Sequence, residues 1–132
     1  MSEIDSFIWP RKYYFAEEIK GSSQEDPCTV SGTDDRIPVE SYDEANLVSS
    51  ETIHGDHMPV LDLDVRAFLV PSSTPGNSHL YINHNMLWED YVKLITVMAE
   101  VGILEEGYVK ASIARGATFV RRPGVYKEDK DV

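Results

Sequence analysis

Hydrophobic and polar positions alternate most clearly near the middle of the chain. Residues 58–65 read Met-Pro-Val-Leu-Asp-Leu-Asp-Val. A two-residue period puts Val60, Asp62 and Asp64 on one face and Leu61, Leu63 and Val65 on the other, which predicts a strand. Residues 67–70 make a second apolar run, residues 72–77 (SSTPGN) have the composition of a turn, and residues 78–82 (SHLYI) read as another strand with His79, Tyr81 and Asn83 on one side. The close spacing predicts an antiparallel meander.

The period then changes. Trp88, Tyr91, Val92, Ile95, Met98, Ala99 and Gly102 recur at three- and four-residue steps, the stripe of an amphipathic helix over about residues 86–104 that would lie on the sheet. Asn85 is the expected N-cap, Glu89 and Asp90 complement the macrodipole in the first turn, and Gly102 stands near the end. Residues 108–113 and 117–121 read as two strands around Arg115-Gly116, closed by Pro123-Gly124. Upstream, residues 11–19 suit a strand or a short helix, 21–27 a loop, 28–30 a short strand, 32–35 a turn and 46–53 a strand. The expectation is an α+β fold, one mainly antiparallel sheet covered by one main helix. It is read as a single domain over 1–126, with an acidic, loop-rich part at 1–56, a core at 57–126 and a flexible tail at 127–132.

Length supports that reading, since 132 residues suit one core. Charge adds an asymmetry. The first 64 residues hold four Lys/Arg and fifteen Asp/Glu, so they carry the whole net charge of −11, while the rest holds eight of each. Within the neutral half, residues 108–127 carry Lys110, Arg115, Arg121, Arg122 and Lys127 and no acid. So negative a chain is unsuited to coating a polyanion, but a short basic segment suits one nucleotide or one strand end. No apolar run nears the ~20 residues of a membrane span, and the start has no apolar h-region, so no membrane partner is expected and a cytoplasmic location is. A single cysteine, Cys28, excludes an internal disulfide and a multi-cysteine zinc site.

Three constellations carry candidate chemistry. Asp62 and Asp64, at i and i+2 of a strand, would point the same way about 6.5–7 Å apart and present oxygen ligands to Mg or Mn; the other reading is a solvated polar face. His54, Asp56 and His57 make a second candidate set, for a transition metal. The loop before His79 would bring backbone N–H groups forward at Gly76, with His79 placed to bond a phosphate or ribose, or else to pack beside Tyr81. Arg115, Arg121 and Arg122 suit bidentate capture of phosphate or carboxylate, or pairing with the acidic half.

Together these segments resemble the archaeo-eukaryotic primase-polymerase catalytic core. Val60-Leu61-Asp62-Leu63-Asp64 is similar to that family's Asp-x-Asp strand motif. Residues 74–81 (TPGNSHLY) are similar to its Ser-x-His motif, with Asn77 at the serine position. Val120-Arg121-Arg122-Pro123-Gly124 with Lys127 is similar to its basic closing element. The resemblance implies a reduced RNA-recognition-like (RRM-like) core that binds a nucleotide or nucleic-acid end with a divalent ion, Asp62 and Asp64 as metal ligands, and His79, Arg115, Arg121 and Arg122 on phosphate. The family's third acidic residue has no counterpart in residues 108–127, so catalysis stays open. Residues 59–64, 69–76, 79–82 and 102–108 also resemble small uncharacterised proteins of actinobacterial tailed phages, which would act in the host cytoplasm. Charge supports a different reading, a non-enzymatic acidic adaptor or inhibitor that binds a basic host or phage protein by polyanion mimicry.

Overall fold

A computed structural model describes residues 4–17 and 36–126. The element class agrees with the α+β expectation, but the described residues form two antiparallel sheets and two main helices where the pattern predicts one of each. The chain gathers into two compact units, Met1–Asp62 and Leu63–Val132.

The first unit begins with a single helical turn, α1 (Asp5–Ile8), followed by β1 (Arg11–Ala16), β2 (Arg36–Val39), a 3-10 turn at Tyr42–Glu44 and β3 (Leu47–Thr52). β1 is central, in the order β2-β1-β3 with both pairings antiparallel. Opposite β2, Tyr13 faces Val39 and Ala16 faces Arg36; opposite β3, Arg11 faces Thr52 and Tyr14 faces Leu47, with a register shift between Arg11 and Tyr13. The aromatic run Tyr13-Tyr14-Phe15 suits a pleated, half-buried surface and resolves residues 11–16 as strand. The side-chain amide of Asn46 mimics one further ladder rung: its Oδ1 accepts from the Ala16 N–H at 2.9 Å and its Nδ2 donates to the Ala16 carbonyl at 2.8 Å.

Residues 58–65 form no strand, against the alternation. A strand needs a partner for each backbone group, and here the first two carbonyls go to a side chain. The Arg11 guanidinium donates to the carbonyls of Met58 (3.2 Å), Pro59 (2.7 Å) and Phe7, and Pro59 has no N–H to offer. Pairing to β3 ends at the isolated bridge between Glu51 and His57. The alternation is present, but the segment is a side-chain-tethered connector.

The second unit contains β4 (Ala67–Pro71), β5 (Ser78–Ile82), α2 (Trp88–Glu100) and α3 (Glu106–Arg115). β4 and β5 make a hairpin from Ala67 opposite Ile82 to Pro71 opposite Ser78. α2 begins after Leu87, which makes no side-chain cap, so Asn85 is not the N-cap. Glu89 and Asp90 do stand in its first turn, and Ile95 is its buried position, flanked by half-buried Tyr91, Val92, Met98 and Ala99 as the stripe requires.

Residues 108–113, expected as strand from Tyr, Val and Ile, belong to α3, which packs against α2. Its end signals outweigh β-propensity. Glu105 caps it by accepting from the Tyr108 N–H at 3.1 Å, and Gly116 ends it at φ 89°, where its N–H reaches the Ser112 carbonyl at 2.9 Å. Residues 117–121 form no strand either, since no neighbouring strand offers a ladder among the described residues. The loop expected at 21–27, the short strand at 28–30, the turn at 32–35 and the tail at 127–132 lie outside the described residues, as does Cys28.

Candidate anion site

Two Pro-Gly turns shape the second unit's concavity. In the β4–β5 loop the Asn77 N–H donates to the Thr74 carbonyl at 3.0 Å across Pro75-Gly76, and Gly76 has φ 84°. After α3 the Val125 N–H donates to the Arg122 carbonyl at 3.0 Å across Pro123-Gly124, and Gly124 has φ 89°. Proline followed by a positive-φ glycine is the type II pattern, and a Cβ at either glycine would be strained.

Each turn is held from below. The first is anchored by the Val70–His79 pair, whose side chains share a face because they stand directly opposite in an antiparallel ladder. The second comes after the reversal at Gly116 and is tied to both helices. Tyr91 Oη is 2.6 Å from Thr118 Oγ1, and Tyr108 Oη donates to the Phe119 carbonyl at 3.2 Å.

Between the turns lies a concavity of about 230 Å³. Its polar lining is Ser72, Ser73, Thr74, His79, Arg121 and Arg122, its apolar lining includes Val70, Pro71, Val125 and Tyr126, and no carboxylate is among its lining residues. Nor is any carboxylate within ion-pair distance of Arg121 or Arg122: among the described residues the ion pair is that of Lys110 with Glu106 at 3.6 Å. Arg122 reaches only its neighbour Pro123's carbonyl, at 3.5 Å. Three of the sequence-derived candidates, His79, Arg121 and Arg122, thus converge. Arg115 does not. Its guanidinium lies over the Phe119 ring, 5.4 Å from the centroid, a cation–π contact. Gly76 shapes the loop without lining the site; the serine and threonine side of the turn does.

The carboxylate pair is placed elsewhere. Asp62 closes the first unit and Asp64 lies in the second; both are exposed, neither lies on a strand, and Asp64 does not line the concavity. No group of three or more His, Cys, Asp or Glu gathers into a metal-holding set among the described residues. His54, Asp56 and His57 serve the turn after β3 instead. Asp56 bonds the buried Thr52 hydroxyl, the His54 N–H donates to that same hydroxyl oxygen at 3.1 Å, and His57 Nδ1 is 2.9 Å from Ser50 Oγ.

Titration is perturbed in the first unit, at a pair the sequence did not single out. Tyr14 Oη donates to Glu51 Oε1 at 2.8 Å. That bond, with lesser help from the charge of Lys12, holds the Glu51 carboxyl below its ordinary value, and the same bond with some burial pushes the Tyr14 hydroxyl up. The two residues lie on different strands, so nothing in their sequence spacing announces the contact.

Sequence reading also missed Ser72, Ser73 and Tyr126. The signal for Tyr126 was present, because a Pro-Gly turn at 123–124 folds the next residues back over Arg122. Among the described residues no helix is long and apolar enough to cross a membrane. Compared with known proteins, the chain matches no family model, no curated protein and no solved structure.

Proposed function

We propose that the second unit is a binding module for phosphate-bearing ligands, a nucleotide or a nucleic-acid end, held in the concavity by Arg121 and Arg122 with His79 and the hydroxyls of Ser72, Ser73 and Thr74. The observation that carries this reading is two guanidinium groups, without carboxylate partners among the described residues, lining the same concavity as a histidine and three hydroxyls. Guanidinium presents paired N–H donors that match two phosphate oxygens, and charge-assisted bonds of this kind are about twice as strong as neutral ones. Binding is all the reading requires.

Titration calorimetry with inorganic tripolyphosphate tests it. Arg121→Ala combined with Arg122→Ala should weaken binding at least tenfold. Unchanged affinity in that double variant would overturn the proposal.

A second reading, an acidic adaptor for a basic protein, is supported by Glu40, Asp43 and Glu44. These are exposed beside the 3-10 turn and hold no ion pair among the described residues. Its test is loss of capture of a basic protein on Asp43→Asn with Glu44→Gln.

A further inference from the structure

The concavity is small for the ligand class it is proposed to hold. At about 230 Å³ it falls below the ~300–1,000 Å³ of pockets that enclose a whole drug-sized molecule. A terminal phosphate fits, and the nucleoside attached to it must project over the rim. Tyr126 stands there. It lines the same concavity and is 67% exposed. Its ring takes part in neither of the aromatic pairs among the described residues, Tyr13–Tyr42 and Trp88–Tyr91, nor in the Arg115–Phe119 contact. Half-exposed Val125 (40%) and exposed Pro71 extend an apolar surface beside it. An aromatic face left open to water next to two unpaired guanidinium groups is the combination that single-stranded nucleic-acid sites use, with charge for the backbone and a ring for the base.

Resting on the phosphate reading, we infer that Tyr126 is the base-stacking platform of the site. The ligand is then an unpaired terminal nucleotide, its phosphate on Arg121 and Arg122 and its base on the Tyr126 ring. A base inside a duplex already stacks on its neighbours and is withheld from the ring. The site therefore selects single-stranded ends over blunt duplex ends, and tolerates any base because every base has a π-face.

Fluorescence anisotropy with a short 5′-phosphorylated oligothymidylate, alongside calorimetry with tripolyphosphate, separates this inference from its foundation. Base–aromatic stacking is worth ~1–3 kcal/mol by alanine substitution, so Tyr126→Ala should weaken oligonucleotide binding roughly 5- to 150-fold and leave tripolyphosphate unchanged. Tyr126→Phe, which keeps the ring, should retain oligonucleotide affinity within about twofold. A blunt duplex with the same 5′ phosphate should bind the wild type as weakly as the oligonucleotide binds Tyr126→Ala. Equal losses for both probes in Tyr126→Ala, or no loss for either, would overturn the stacking role while the phosphate reading stands. Unchanged tripolyphosphate binding in the Arg121→Ala, Arg122→Ala variant would bring down the phosphate reading and this inference with it. Circular dichroism of each variant should match the wild type, since all three residues are exposed.

Discussion

Arg11 in the first unit and Arg121 and Arg122 in the second are put to opposite uses. In the first, Arg11 is spent on the fold: its guanidinium gathers three backbone carbonyls from α1 and from the connector after β3. Other polar side chains there are spent the same way, Asn46 on both backbone groups of Ala16, Glu51 on Tyr14, and Asp56 on Thr52. In the second unit the hydroxyls of Tyr91 and Tyr108 join the two helices to the segment at Thr118 and Phe119. Arg121 and Arg122 bond nothing beyond the near carbonyl of Pro123 among the described residues. A charged group that satisfies backbone atoms is a structural element, and one kept free of partners is available to a ligand. Net charge therefore misleads here: the strongly acidic unit commits Arg11, Glu51 and Asp56 to its own fold, and the second unit holds Arg121 and Arg122 without carboxylate partners among the described residues.

The largest expected effect breaks the comparison from the structural side. Arg11→Ala strands three carbonyls, and bonds to charged groups contribute ~1.5–3 kcal/mol each when shielded, less when exposed. Urea unfolding should therefore show a loss of about 2–4 kcal/mol, with tripolyphosphate affinity unchanged in the folded protein. If Arg121→Ala with Arg122→Ala instead destabilised the chain by a similar amount, the two kinds of arginine would not differ.

Salt dependence comes next. Two guanidinium contacts to a single strand predict a slope of about −1.4 in log K against log salt concentration. A slope several times steeper would bring further cations into the site.

The Tyr14–Glu51 bond gives the first unit a pH signature. Glu51 is lowered from 4.5, so its contribution is present above that pH and is lost as pH falls through the folded value. Tyr14 is raised from 10.0, so its contribution is present below that pH and is lost as pH rises through its folded value. Tyr14→Phe should move the Glu51 carboxyl, followed by NMR titration, back toward 4.5, and should leave oligonucleotide binding by the second unit untouched.

The smallest effect sharpens the account of the second unit's interior. Ser112 on α3 is fully buried, and its hydroxyl has no partner among the described residues. Ser112→Ala removes an unsatisfied group and improves helix propensity, so it should stabilise by about 0.5–1 kcal/mol in thermal unfolding. A loss of stability would mean the hydroxyl is satisfied after all.

What the sequence determined by itself was local. Residue pattern located β3, an apolar run β4 and alternation β5, period 3.6 located α2, and the Pro-Gly pairs marked both turns, because strand faces, helix stripes and positive-φ glycines are set by neighbours a few residues away. The α+β class came from those elements. Sequence reading failed where the deciding partner was distant. Residues 58–65 alternate as a strand does, yet they form no ladder, and the guanidinium of Arg11, almost fifty residues upstream, takes the carbonyls of Met58 and Pro59. Residues 108–113 favour β-structure by residue type, yet the cap at Glu105, the reversal at Gly116 and the packing of α3 on α2 make them helix. Candidate site residues divided in the same way. His79, Arg121 and Arg122 were legible as residue types near turns, but only the tertiary structure brought the two turns to one concavity. It likewise gave Arg115 to Phe119, left Asp62 and Asp64 off any strand, and set Tyr126 on the rim. Sequence spacing reports which side chains share an element; which elements meet is decided by burial and by backbone groups seeking partners across the fold.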